Sequence, residues 1–205
     1  MKLIILLSFF LILYNGSFAQ IKKKNNKQNP QQLNIPQDDA LNFYVIGDWG
    51  RYGGHNQADV ATQMDVYAAQ FDPEFIISTG DNFYTNGVAS TQDPHWTLSF
   101  ENIYAKGGIT CPWYPILGNH DYQGNAQAQL DYSKISRRWS FPSRYYTFAQ
   151  KIDKNTKARF VFLDTNPFVE KYHKQNGKYG DLTQQDTIAQ YRWLDSVLAN
   201  SKEEW

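Results

Sequence analysis

Three short turns, each directly after a predicted strand, constrain the fold of this chain more than any other feature. They are Gly47-Asp48-Trp49-Gly50, Gly80-Asp81-Asn82-Phe83-Tyr84 and Gly118-Asn119-His120-Asp121. In an open α/β sheet the carboxyl ends of the strands form the ligand site, and glycine there lets the backbone turn sharply. We therefore expect an α/β fold in which the three turns converge on one site.

Hydrophobic periodicity predicts alternating strands and helices from Leu41 onward. The predicted strands cover 42–46, 75–78, 113–117, 144–152 and 158–163, and the predicted helices cover 57–71, a stretch beginning at Pro94, 126–135 and a last stretch beginning near Thr183. The helix over 57–71 is predicted to place four residues on one face, Val60, Met64, Tyr67 and Phe71. The chain has no internal repeat.

The last helix is predicted to begin with Thr183 as its N-cap and Asp186 at the reciprocal capping position. Four apolar residues then align along one face, Ile188, Tyr191, Leu194 and Leu198. Such an amphipathic pattern is typical of a helix that packs on a sheet.

The N-terminal residues have the pattern of a secretory signal peptide. Lys2 precedes an apolar run over 3–14, and Ser17-Phe18-Ala19 supplies small residues at the cleavage positions. The alternative is a membrane anchor, but a span needs about 20 apolar residues and this run is shorter. We therefore predict a signal peptide over 1–19, a polar disordered tether over 20–40 and a folded domain over 41–205, secreted or delivered to a lysosome or vacuole and without a stable membrane span.

Charge and cysteine content exclude several classes of protein. The 20 basic residues balance the 20 acidic ones, which argues against a general nucleic-acid binder. Cys111 is the single cysteine, so no intramolecular disulfide stabilises the fold. Because Cys111 immediately precedes an apolar run, we predict a small buried residue rather than a reactive thiol.

The candidate ligands in the three turns are two carboxylates, a phenol, an amide and an imidazole, those of Asp48, Asp81, Tyr84, Asn119 and His120. Oxygen and nitrogen donors of this kind suit hard or borderline metal ions, and the Tyr84 phenol suits ferric iron. A single Gly-Asp or Asn-His-Asp turn is more often a local hydrogen-bonded turn or a helix cap than a ligand. The occurrence of three such turns in order favours a metal site.

With these motifs the sequence resembles the calcineurin-like metallophosphoesterases, and more closely the purple acid phosphatases of the small, tartrate-resistant type. The resemblance extends from about residue 43 to 200 and includes Pro112-Trp113-Tyr114, Phe141-Pro142-Ser143 and Leu163-Asp164-Thr165. Tyr84 distinguishes this group from relatives that share the other motifs. The resemblance implies a β-sandwich flanked by helices, of which this chain holds the N-terminal half.

The resemblance also implies a role for each motif residue. Asp48 and Tyr84 would bind Fe(III), Asp81 would bridge two metals, and Asn119 would bind a divalent ion, Fe, Zn or Mn. His120 would act as the catalytic residue above the phosphate. The implied activity is the hydrolysis of phosphate monoesters at acidic pH by a dinuclear centre.

The sequence departs from the family in its histidines. The family has a Gly-His turn after the next strand and a later Gly-His-x-His turn, and this chain has neither motif at those places. We predict that His55, His95 and His173 are surface or loop residues, and that Asp164, which has no ligand role in the family, is a structural cap.

Two hypotheses follow from counting the ligands. The motif residues leave the iron one protein ligand short and the divalent ion two short. Either the chain is part of a longer acid phosphatase and is inactive alone, or it is a non-catalytic secreted product that binds iron or phosphate esters weakly. No oligomeric state is predicted.

Overall fold

The computed structural model describes residues 40–105, 107–175 and 177–205, so the predicted signal peptide and nearly all of the predicted tether lie outside the described residues. Its strands are β1 (Phe43–Ile46), β2 (Phe75–Ser78), β3 (Trp113–Pro115), β4 (Tyr146–Lys151) and β5 (Lys157–Phe162). Its α-helices are α1 (Gln57–Phe71), α2 (Ala126–Tyr132), α3 (Glu170–His173) and α4 (Thr187–Asn200). Within this described part, no helix is both long and apolar enough to cross a membrane.

Shorter helical turns connect these elements. A π-helical turn covers Trp96–Glu101, and 3₁₀ turns cover Asp121–Gln123, Asn166–Phe168 and Leu182–Gln184. The helix that the sequence predicts from Pro94 is therefore present, but its wider π turn differs from an α-helix.

The first three strands form a parallel sheet in the order β1-β2-β3. Parallel strands of one sheet end at the same edge, so the three glycine turns lie together, as predicted. An isolated parallel bridge between Gly50 and Phe83 continues the pairing beyond β1 and β2 into the turns. The sheet thus positions the site before any side chain is considered.

Strands β4 and β5 form an antiparallel hairpin that packs on one face of the parallel sheet through aromatic rings. Phe75 of β2 meets Phe148 at 5.5 Å and Phe160 at 5.1 Å between ring centroids, both edge to face. The two layers give the predicted α/β sandwich arrangement. The same sheet face is partly uncovered at β1, where Val45 is 60% exposed and Phe43 is 37% exposed.

The opposite face of the sheet is covered by α1 and by a cluster of indole rings. The cluster contains four buried tryptophans, Trp49, Trp96, Trp113 and Trp139. Trp96 stacks on Tyr132 of α2 with 3.6 Å between ring centroids. Cys111 packs against this core and is half-buried, and burial raises the pKa of its thiol, which agrees with a packing role.

Helix α1 has the predicted bounds but a different buried face. The buried residues are Gln57, Ala61, Met64 and Ala68. Of the predicted face only Met64 is buried, and Val60 is 45% exposed. The alanines, having no side chain beyond Cβ, let the helix approach its neighbours closely.

The prediction that Thr183 caps the last helix is wrong. Helix α4 begins at Thr187, and Asp186 is its N-cap, because the Asp186 side chain accepts a hydrogen bond from the Ala189 amide at 2.9 Å. Thr183 lies in the preceding 3₁₀ turn.

The aligned apolar residues of α4 do not form its buried face. Ile188, Tyr191 and Leu198 are each about 60% exposed, whereas Gln190 is buried. Gln190 turns inward because its side-chain amide bonds both the backbone N–H and the carbonyl of Asp164, each at 2.9 Å. Two buried hydrogen bonds therefore fix the orientation of this helix.

Candidate functional site

The first two turns are joined by backbone hydrogen bonds. The Gly50 amide donates to the Asn82 carbonyl at 3.0 Å, and the Tyr84 amide donates to the Gly50 carbonyl at 2.8 Å. Asp48 and Asp81 both have positive φ, 60° and 48°. A residue other than glycine is held in this left-handed region only by its surroundings, and such strain is frequent at functional sites.

Three oxygen donors of these two turns converge. The Tyr84 phenol oxygen lies in short contact with Oδ1 of Asp48 and 2.8 Å from Oδ2 of Asp81, so its single proton is shared between two carboxylate acceptors. Burial, followed by these bonds and the two carboxylate charges, raises the pKa of Tyr84 far above its usual value. Without a cation the phenol is therefore neutral, and a cation among the three oxygens would favour the phenolate.

The third turn closes against Asp81. A Cβ at Gly118 would lie 2.1 Å from both the backbone nitrogen and Oδ1 of Asp81, so only glycine fits this position. The His120 amide donates to Oδ1 of Asp81 at 3.0 Å, and its Nε2 lies 4.0 Å from Oδ2. The imidazole Nδ1 lies 2.5 Å from the carbonyl of Thr85. His120 is thus held beside the Asp81 carboxylate by contacts of both its backbone amide and its imidazole ring.

Asn119 makes its side-chain contact with a different part of the chain. Its Oδ1 accepts a hydrogen bond from the Tyr172 phenol at 3.3 Å, and Tyr172 belongs to helix α3. His173 of the same helix is exposed, and its Nε2 lies 2.7 Å from the Pro167 carbonyl. The residue of α3 that reaches the site is Tyr172.

A chain of buried hydrogen bonds links the three turns to helix α2. It runs from the Trp49 indole to Ser78 at 2.8 Å, from Ser78 to Asn82 at 2.5 Å, from Asn82 to Gln129 at 3.0 Å, and from Gln129 to Asp121 at 2.8 Å. All five side chains are at most 4% exposed. Three of them stand in the motifs themselves, yet sequence reasoning gave them no role.

Asp121 connects the second turn to the third. Its carboxylate accepts the amides of Asn82 at 3.0 Å, Phe83 at 3.2 Å and Gly118 at 2.8 Å, in addition to Gln129. Asp121 is fully buried, and burial raises its pKa to about 6. One carboxylate therefore holds together the two turns that present Asp81, Tyr84 and Asn119.

The predictions for the other histidines are partly wrong. His55 and His173 are exposed, as expected for surface residues. His95 is buried, with Nδ1 2.9 Å from the hydroxyl of Ser99 and its ring stacked on Tyr52 at 3.8 Å. Burial lowers the pKa of His95, as expected for a neutral core imidazole.

Asp164 is buried and bonded within the fold. It accepts a short hydrogen bond from the Tyr122 phenol and another from the Asn166 amide side chain at 3.0 Å. Its backbone is bound by Gln190, as described above. The predicted structural role is consistent with these contacts, and burial raises its pKa.

The donor set fits one hard cation better than two. In residues 40–105, 107–175 and 177–205, no group of three or more His, Cys, Asp or Glu side chains is placed to hold a metal ion. The convergent oxygens of Asp48, Asp81 and Tyr84 are not such a group, because Tyr84 contributes a phenol. Three hard oxygen ligands of this kind suit Fe(III). For a second ion the predicted ligands are only Asp81 and Asn119, too few for a closed site.

Known phosphoesterases are similar to this chain over most of its length. Residues 41–205 match the calcineurin-like phosphoesterase family. Purple acid phosphatase 4 of Arabidopsis thaliana is 47% identical over 135 residues, covering 66% of this chain and 39% of that protein. Human tartrate-resistant acid phosphatase type 5 is 33% identical over 175 residues, covering 81% of this chain and 54% of that protein.

A solved structure with a similar fold is GAP50, the anchor in the inner membrane complex of Plasmodium. It is 28% identical, with a TM-score of 0.57, and the match covers 64% of this chain and 44% of that one. The chain spans about half the length of the curated relatives it matches. The resemblance that the motifs indicate is confirmed, and the chain belongs to the calcineurin-like phosphoesterase family.

Proposed function

We propose that this protein serves the hydrolysis of phosphate monoesters at acidic pH, with Fe(III) and a divalent ion, Fe, Zn or Mn, as cofactors. The observation that supports this most strongly is the convergence of the Asp48 and Asp81 carboxylates on the phenol oxygen of Tyr84. The purple acid phosphatases among its relatives support the same reaction. Asp48 and Tyr84 would bind iron, Asp81 would bridge the two ions, and Asn119 would bind the second ion.

The bound ions would supply charge neutralisation for the phosphate and activation of water. Around them, His120 is the residue that can move a proton. Because the Thr85 carbonyl can only accept, Nδ1 of His120 is the ring nitrogen that donates there. Nε2 then faces Asp81, and when it carries a proton it can donate that proton to the leaving oxygen.

We also propose that the 205-residue chain does not turn over substrate by itself. The number of predicted metal ligands supports this. With two predicted side chains for the divalent ion, its affinity is low, and a dinuclear centre does not form. In this proposal the chain still binds iron at the oxygens of Asp48, Asp81 and Tyr84.

Iron binding can be tested by the colour that a tyrosinate ligand gives to Fe(III). Titration of the purified protein with Fe(III) is expected to produce a visible charge-transfer band. Tyr84→Phe should abolish the band, whereas the exposed Tyr191→Phe should leave it unchanged. A wild-type protein that stays colourless at saturating iron contradicts the iron assignment.

The second candidate function is non-catalytic binding of iron or of a phosphate ester. The incomplete set of metal ligands favours it. GAP50, which has a similar fold, is described as an anchor. Hydrolysis of p-nitrophenyl phosphate with iron and zinc present distinguishes the two. Turnover that Asp81→Ala removes would establish the enzyme and refute our inactivity proposal, and an iron band without turnover would favour binding.

We also propose export through the secretory pathway, with the signal peptide over 1–19, the tether over 20–40 and the domain over 41–205. The apolar run after Lys2 and the small residues before Gln20 support this organisation. Expression in a secreting host and N-terminal sequencing should give a mature chain that begins at Gln20. Retention of Met1 on the recovered protein would contradict it.

A further inference from the structure

Arg51 directly follows the first turn, and the proposed function leaves it without a role. The backbone bond from the Tyr84 amide to the Gly50 carbonyl brings residue 51 alongside residue 84. The guanidinium carbon of Arg51 lies 3.4 Å from the centre of the Tyr84 ring, a cation–π contact. A fixed positive charge therefore lies next to the phenol that meets both carboxylates.

The backbone of Arg51 is held by a buried glutamine. The Arg51 amide donates to Oε1 of Gln57 at 2.9 Å, and Nε2 of Gln57 donates to the Ser99 carbonyl at 2.6 Å. The Arg51 carbonyl accepts the Gly54 amide at 2.8 Å. Because Gln57 is only 4% exposed, the backbone of Arg51, from which its side chain extends, is anchored in the core.

The donors of the Arg51 guanidinium have no protein acceptor within the described part of the chain. The Asp48 and Asp81 carboxylates are bonded to the Tyr84 phenol, and neither forms an ion pair with Arg51. Stacking on the ring leaves the N–H edge of a guanidinium available, and that planar edge matches two phosphate oxygens.

We propose that Arg51 binds the phosphoryl oxygens of the phosphate monoester and so contributes to substrate selection at this site. This inference rests on the proposed function, because the phosphate must lie at the donor set of Asp48, Asp81 and Tyr84. A dianionic phosphate there would meet the guanidinium edge, whose charge offsets the two carboxylates.

The probe for the experiment is inorganic phosphate, titrated calorimetrically into iron-loaded protein from which unbound iron has been removed. Arg51→Gln is expected to weaken phosphate binding about tenfold or more, since hydrogen bonds to charged groups are strong. Arg51→Lys retains the positive charge but not the planar guanidinium that can bind two oxygens, so it should give an intermediate loss of phosphate affinity. Arg137→Gln, an exposed arginine with the same charge change, is the matched control and should bind as the wild type does.

The tyrosinate-to-iron band of each variant is recorded in the same samples. An unchanged band with weakened phosphate binding in Arg51→Gln supports the proposal. An unchanged band with phosphate binding equal to that of Arg137→Gln overturns it and leaves the proposed function intact. A band that shifts or disappears in Arg51→Gln also overturns it, because Arg51 then acts by holding Tyr84. A wild type with neither the band nor phosphate binding refutes the proposed function together with this inference.

Discussion

Replacement of Asp121 by alanine tests whether one buried carboxylate holds the second and third turns together. The side chain is 0% exposed and accepts hydrogen bonds from four separate donors. Three of the donors are backbone amides, of Asn82, Phe83 and Gly118, and the fourth is the Gln129 side chain. Alanine removes all four acceptor contacts and leaves these donors inside the protein.

The expected loss follows from the number of donors left unpaired. A buried donor without a partner costs roughly 1–3 kcal/mol, so four of them should lower the free energy of unfolding by about 4 kcal/mol or more. Asp121→Asn retains one acceptor oxygen, so its loss of stability should be smaller than that of Asp121→Ala. Some loss remains because the new NH₂ group faces amide donors. Against a domain stability on the order of 5–15 kcal/mol, the alanine effect is large.

Urea unfolding followed by tryptophan fluorescence measures the loss, and Fe(III) titration of the same variants measures the effect on the site. Asp131→Ala is the control, because the partly exposed Asp131 pairs with Lys134 at the surface and should change stability far less than Asp121→Ala does. If Asp121→Ala costs no more than Asp131→Ala, the carboxylate does not hold the turns, and the reasoning from its four donors is refuted.

Two further predictions follow from close contacts elsewhere. Gly118→Ala places a Cβ 2.1 Å from Asp81 and should abolish the iron band, whereas Gly107→Ala, with no heavy atom within 4 Å, should retain it; equal bands in both would refute the clash. The ion pair of Glu203 with Arg159 lowers the pKa of the Glu203 carboxyl from 4.5 to about 2. Its stabilisation is therefore present above pH 4.5 and is lost as the pH falls through about 2. Glu203→Gln should flatten the acid limb of a thermal-stability profile, and an unaltered limb would contradict this.

Much of the candidate site could be predicted from sequence because it depends on local patterns and on one topological rule. Apolar runs identify the strands, glycines mark their ends, and parallel strands end at a common edge. These three facts suffice to bring Asp48, Asp81 and Tyr84 together, and the structure shows them sharing hydrogen bonds.

The orientation of the helices could not be predicted in the same way. Periodicity describes a helix by itself, whereas the buried face depends on what the helix packs against. In α1 the small Ala61 and Ala68 face inward, and in α4 the two bonds from Gln190 to the backbone of Asp164 turn a polar residue inward. Hydrogen bonds to a distant backbone have no periodic signal.

The sequence by itself therefore determined the kind of fold, the donor chemistry and the family, since each is encoded in short contiguous motifs. Only the tertiary structure decided how those donors are held. Asp121 bonds residues 38 and 39 positions earlier in the chain, and Arg51 stacks on a ring 33 positions later. Such contacts depend on distances between segments that only the packed sheet brings together, so no local pattern specifies them.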